Sequence, residues 1–137
     1  MLPLKQPLEP TSDLSGMKIL VVDDEADSRE LISLVLEQEN ALVTAASSGI
    51  EALQVIERSI PDLLISDIGM PEMDGYMLMR QIRTVPQSNQ IQAIALTAYA
   101  GERDRQQAEA AGFQLHLAKP VEPVQLLVAI SNLIRDK

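Results

Sequence analysis

The 137-residue sequence has no cysteine and no tryptophan, a single phenylalanine (Phe113) and a single histidine (His116). Without thiols there can be no disulfide and no thiolate metal site, which fits a reducing compartment. Aromatics make up only 2% of the chain, so any core must be aliphatic. A basic face is also lacking. The 20 acidic and 11 basic residues give a net charge of −9, which argues against a nucleic-acid surface and suits anionic lipid poorly. No apolar run approaches the ~18 residues of a membrane span. Pro3, Pro7 and Pro10 interrupt the N-terminal stretch, which has no apolar core of the secretory kind. The expectation is a soluble cytoplasmic protein that contacts neither nucleic acid nor membrane.

What is present suffices for one packed core: 46% hydrophobic residues, 23% charged, in a chain of single-domain length. Residues 1–16 read as a Pro-rich tail or linker, and one domain is expected over 17–137. From Gly16 onward strand and helix patterns alternate. Ile19-Leu20-Val21-Val22 is a continuous apolar run, as in a strand buried on both faces. Residues 27–39 are helical in pattern, with Leu31 and Val35, and Ile32 and Leu36, four apart. Residues 41–46 form a second strand, and Ile50, Leu53 and Ile56 mark one face of a helix that ends before Pro61. Leu63-Leu64-Ile65 is a third strand, 76–83 a helix closed by Pro86, and 91–96 a fourth strand. Residues 102–111 read as a polar, Ala-rich helix with Gly112 in the C-terminal capping position. A short strand over 113–117 and a helix with Val124, Leu127, Ile130 and Ile134 as its buried stripe complete the pattern. This βαβαβαβαβα order implies an α/β fold, a parallel sheet with helices on both faces. Such sheets bind ligands beyond the carboxyl ends of their strands.

The residues at those ends form a chemical set. Asp23, Asp24 and Glu25 follow the first strand, Asp67 the third, Thr97 the fourth, and Lys119 with Pro120 the fifth. Singly, each has an ordinary reading. Acids suit a helix start, aspartates abound in turns, and threonine in a strand or lysine on a surface needs no explanation. Brought to one edge, the acids would repel one another and require positive charge beside them. The Lys119 ammonium and a hard divalent cation both answer that need. Magnesium suits a small carboxylate cluster because it keeps several waters and shares oxygens with a phosphate, whereas a cysteine-free set with one histidine offers little to zinc. A carboxylate so placed can act as a nucleophile and become an aspartyl phosphate. That transfer depends chiefly on positioning and charge neutralisation. Lys119 could pair with one phosphate oxygen, and the Thr97 hydroxyl could donate to another.

Val21-Val22-Asp23-Asp24-Glu25, the stretch from Ser66-Asp67 through Gly69-Met70-Pro71 to Asp74-Gly75, Leu96-Thr97-Ala98 and Ala118-Lys119-Pro120 resemble the four signatures of response-regulator receiver domains. They stand in that family's order and spacing, and the resemblance covers about residues 17–135. It implies a (βα)5 flavodoxin-like, doubly wound sheet with strand order 2-1-3-4-5. It also implies that Asp67 is the phosphoacceptor, served by a phosphohistidine on a sensor histidine kinase or a histidine phosphotransfer protein. Asp24 and Asp67 would bind Mg2+ directly, Asp23 through water, and Gly69 by its backbone carbonyl. Thr97 and Lys119 would contact the phosphoryl group, and the peptide bond before Pro120 would be cis. His116 stands where the family usually carries the Tyr or Phe that swings inward with the threonine, and is the candidate switch residue. Gly69 and Tyr99 occupy positions that influence phosphate lifetime in the family. Output would pass to a downstream protein or to a domain of a parent chain such as a hybrid histidine kinase. The domain would be a signalling module rather than an enzyme, catalysing only its own phosphorylation and slow dephosphorylation.

Other readings of the same residues fit their pattern less well. An aspartyl-nucleophile phosphatase commonly carries Asp-x-Asp after the first strand, whereas here the acids are adjacent. A flavodoxin-like or dinucleotide-binding domain needs a Gly- or Ser-rich phosphate loop there, which Asp23-Asp24-Glu25 would repel. A receiver-like binding module independent of phosphorylation would not need the full site. Met70, Met73, Met77 and Met79 read as packing. The charges from Glu102 to Arg105 read as a solvated helix face or part of an output surface.

Overall fold

A computed structural model describes residues 13–98 and 101–135. Five strands alternate with five helices: β1 (Lys18–Val22), α1 (Ala26–Glu37), β2 (Leu42–Ala46), α2 (Gly49–Arg58), β3 (Leu63–Asp67), α3 (Gly75–Thr84), β4 (Gln92–Thr97), α4 (Glu102–Ala111), β5 (Leu115–Ala118) and α5 (Pro123–Arg135). The strands form one parallel sheet in the order β2-β1-β3-β4-β5, the flavodoxin-like arrangement expected.

The continuous apolar runs lie where both sheet faces are covered. Successive side chains of a strand alternate between faces. Leu20, Val22, Leu64, Ala93 and Ala95 pack beneath α2, α3 and α4. Ile19, Val21, Leu63, Ile65, Ile94 and Leu96 pack beneath α1 and α5. The edge strands β2 and β5 are the less buried ones. Two helices are started by side-chain caps. Ser48 Oγ accepts the Glu51 N–H at 3.1 Å while Glu51 Oε1 accepts the Ser47 N–H at 2.7 Å, and Asp74 Oδ1 accepts the Met77 N–H at 2.8 Å. Gly112 closes α4 with φ +119°, a conformation open to glycine. No helix among the described residues is long and apolar enough to cross a membrane.

The structure corrects several helix faces. Ile50 is exposed and α2 instead buries Gly49, Ala52 and Ile56. Gly49 faces Met73, whose Sδ would lie 2.7 Å from a Cβ there, and Ile50 is turned outward. Leu31 is also exposed, since α1 buries the Ile32–Leu36 side. In α5, Leu126, Ala129, Ile130 and Leu133 are buried and Val124 is exposed. At 3.6 residues per turn, positions two apart lie on roughly opposite sides, so burying Leu126 exposes Val124. Among the methionines, Met70 and Met79 are buried but Met77 is exposed.

Packing also begins before Met17. Leu14 is buried with Leu36 and Ala41, and its N–H donates to the Glu39 carbonyl at 2.7 Å. It thereby closes the end of the α1–β2 layer. Residues 1–12 of the expected tail, and Tyr99, lie outside the described residues.

Candidate functional site

The order β2-β1-β3 reverses direction between β1 and β3, and the acidic residues sit at the carboxyl ends of these two central strands. Asp23 follows β1 and is fully buried. Its N–H donates to the Ala46 carbonyl at 3.1 Å, and its Oδ1 accepts the Glu25 N–H at 2.9 Å. Its own carbonyl accepts a hydrogen bond from Arg29 Nη1 at 2.8 Å. Asp67 ends β3, buried, with Oδ1 facing the Gly69 N–H at 3.3 Å. Asp24 is exposed at the rim. One carboxylate oxygen from each of Asp23, Asp24 and Asp67 lies within 4.8 Å of the others.

Lys119 enters from the end of β5. Its N–H donates to the Thr97 carbonyl at 2.8 Å, and the Lys119–Pro120 peptide bond is cis. Its Nζ lies 3.3 Å from Asp23 Oδ2, 3.4 Å from Asp67 Oδ2 and 3.9 Å from Glu25 Oε1. Burial raises the Asp67 carboxyl above its ordinary range, Lys119 pulls it back down, and Asp23 pushes it up again. Burial depresses the Lys119 ammonium, but Asp67 and Asp23 together outweigh this and leave it raised.

Three converging carboxylates face one ammonium, so two negative charges remain unbalanced at the rim. The donor set consists of hard oxygen ligands, suited to a small divalent cation. Among the described residues, a side chain at Gly69 would meet no heavy atom within 4 Å, which leaves open space beside Asp67 on that side.

Thr97 is buried at the end of β4. His116 lies outside the carboxylate cluster, half-buried on β5 and opposite Ala95. Register and alternation put His116 on the sheet face that Ala95 and Thr97 share, beneath α4. Glu102 of α4 is held below the usual carboxylate range first by Arg105, with His116 a small further contributor.

Two supporting residues escaped the reading of strand ends. A Cβ at Gly75 would stand 2.5 Å from the Asp67 carbonyl oxygen and 2.9 Å from Ile68 Cα, so only glycine admits this approach of α3 to β3. Its place directly after Asp74 was the available signal. Arg29 carries no comparable mark, because its bond to the Asp23 carbonyl depends on how α1 leaves the sheet.

The fold agrees with three comparisons. The family model of the response regulator receiver domain matches residues 19–131. An uncharacterized 14.6 kDa protein from the sodA1 3' region of Leptolyngbya boryana is 51% identical over 114 residues, 83% of this chain and 87% of that protein. The response regulator PleD of Caulobacter vibrioides is 34% identical over 120 residues, but this chain spans only 26% of its length. Among solved structures, chemotaxis response regulator CheY4 of Vibrio cholerae superposes with a TM-score of 0.82 at 30% identity, covering 85% of this chain and 98% of that one. The signal receiver domain of a signal transduction histidine kinase from Syntrophus aciditrophicus gives 0.80 at 31% identity, covering 88% and 92%. The chain belongs to the response regulator receiver domain family.

Proposed function

We propose that this receiver domain is a magnesium-dependent phosphoacceptor in which Asp67 takes a phosphoryl group from a partner's phosphohistidine. The observation that carries this reading is the Lys119 ammonium lying between Asp23 and Asp67 while Asp24 completes an oxygen cluster at the same rim. Asp67 supplies the nucleophilic oxygen. As its O–P bond forms, the P–N bond of the donor breaks, and the electron pair leaves with the imidazole nitrogen, which takes up a proton from solvent. Asp23, Asp24, Asp67 and the Gly69 carbonyl would hold the cation, and Mg2+ when bound would neutralise charge on the phosphoryl oxygens.

Lys119 would pair with a phosphoryl oxygen in exchange for its present contact with Asp67. The Thr97 hydroxyl, at the end of the neighbouring strand, would donate to another oxygen. These contacts exist only in the phosphorylated state and therefore bias the conformation. His116 shares the Thr97 face and is the side chain that would report the change toward α4. Receiver domains act between histidine kinases and effector domains, and for this chain we assign the donor to a cytoplasmic kinase or phosphotransfer protein and the output to a separate protein or attached domain.

Labelling with radioactive acetyl phosphate in the presence of Mg2+ tests the assignment. The parent should take up label and Asp67→Asn should not. Undiminished label on Asp67→Asn would refute the assignment, and rapid multiple turnover of a phosphomonoester would favour the phosphatase reading.

A further inference from the structure

Asp24 is the exposed member of the carboxylate cluster, and among the described residues no cation lies within salt-bridge distance of it, whereas Asp23 and Asp67 both face Lys119. In the absence of a cation, repulsion from the two buried carboxylates favours turning Asp24 out into water. Something in the chain must hold it toward the cluster.

Asp24 hangs from the peptide unit whose carbonyl belongs to Asp23. The N–H of Asp23 is fixed to β2 through the Ala46 carbonyl, and its side chain is fixed by the Glu25 N–H and Lys119. Its carbonyl is the remaining handle on the Asp23–Asp24 peptide plane, and Arg29 Nη1 grips it at 2.8 Å. Rotation of that plane would carry the Asp24 side chain away from Asp67. The Arg29 guanidinium reaches back over the first turn of α1, toward the start of α2. There Glu51 is held below the ordinary carboxylate range first by its hydrogen bonds from Ser47 and in small part by Arg29.

We propose that Arg29 is a positioning residue of the cation site: by holding the Asp23 carbonyl it holds the Asp24 carboxylate in the orientation that receives Mg2+. The inference rests on the magnesium-dependent reading above. Its sign separates it from simple electrostatics. Arg29 is a positive charge beside a cation site, so Coulomb repulsion by itself predicts that removing it tightens Mg2+ binding. Positioning predicts that removing it weakens binding.

Calorimetric titration of Mg2+ into the unphosphorylated full chain decides the matter, using the parent, Arg29→Met, Arg29→Lys and Asp24→Ala. Arg29→Met keeps an apolar stem and loses the charge and the donors. It should bind Mg2+ about tenfold more weakly, the scale for losing a residue that orients a metal ligand. Arg29→Lys keeps the charge and should fall between parent and Arg29→Met. In the metal-free protein, amide exchange at Asp24 and Glu25 should quicken in Arg29→Met. Unchanged or tighter Mg2+ binding by a folded Arg29→Met overturns the proposal. Should that variant not fold, several-fold weaker binding by Arg29→Lys supports it, and binding equal to or tighter than the parent's overturns it. A parent that binds no Mg2+, or an Asp24→Ala that binds it as well as the parent, overturns the magnesium reading itself and the role of Arg29 with it.

Discussion

Helices α3 and α4 start at the same end of the sheet, one beyond Asp67 and the other beyond Thr97, yet they are held very differently. Helix α3 is capped by Asp74, presses Gly75 against the Asp67 carbonyl and buries Leu78, Met79 and Ile82. Burial of such side chains contributes roughly 1.5–3 kcal/mol each. Helix α4 has Gly101 at its N-cap with no side-chain hydrogen bond, and buries only Ala108 and Ala111. Its charges pair along its own surface, Arg105 with Glu102 and, at 2.6 Å, with Glu109. Its firm point is the C-terminal end, where Arg83 Nη2 donates to the Gly112 carbonyl at 2.6 Å and Nη1 to the Asn89 carbonyl at 2.8 Å. Asp67, the proposed nucleophile, thus sits on a firmly packed joint, while Thr97 and His116 adjoin a helix pinned at one end and lightly packed at the other. Chemistry needs fixed geometry, and signalling needs an element that moves at small cost.

The contrast can be broken or sharpened by substitution. Leu78→Ala should cost about 2–5 kcal/mol in urea unfolding, whereas Arg105→Ala, which removes exposed pairs on α4, should leave the urea midpoint close to the parent's. Comparable losses would remove the distinction between the helices. Gly75→Ala should cost about 2–3 kcal/mol because the added methyl meets backbone that cannot give way. Among the described residues, the methyl of Gly101→Ala meets only Asp104 Oδ2, at 3.5 Å. This variant should stay within about 0.5 kcal/mol of the parent, since a poorer cap and a stiffer unfolded chain oppose each other.

A pH series tests the strain at the rigid joint. Asp67 is raised in the folded metal-free protein, chiefly by burial. Its contribution to stability is therefore fully present below the unfolded carboxyl value of 3.8 and is lost as pH rises through the higher folded value. Asp67→Asn cannot ionise and should melt above the parent at neutral pH without Mg2+, with the gap closing as pH falls below about 4. A gap that persists or widens in acid contradicts this sign.

The site was largely legible in the sequence because a parallel sheet carries every strand end to one edge. Once Ile19–Val22 and Leu63–Ile65 read as buried strands, Asp23, Asp24 and Asp67 fell at one edge with Thr97 and Lys119, and the strand order implied by the family resemblance made them neighbours. The helix faces were less legible. Ile50, Leu31 and Val124 satisfy an amphipathic spacing, but tertiary packing buries a different arc that includes small residues such as Ala52 and Ala129, which an apolar stripe does not single out. Leu14 looked like tail because its partners, Leu36 and Ala41, are brought to it only by the α1–β2 turn. Arg29 acts through the backbone carbonyl of Asp23, an approach that a pattern of side-chain types does not encode, whereas Gly75 was visible in the Asp74-Gly75 signature but not its packing against the Asp67 carbonyl.

The most direct test identifies the residue that carries the phosphoryl group. The chain is incubated with Mg2+ and acetyl phosphate, reduced with borohydride to convert an aspartyl phosphate to homoserine, and mapped by peptide mass spectrometry. The account predicts homoserine at position 67 and none in a sample prepared without phosphodonor. Homoserine at another acidic position, or none anywhere after phosphodonor treatment, would contradict it.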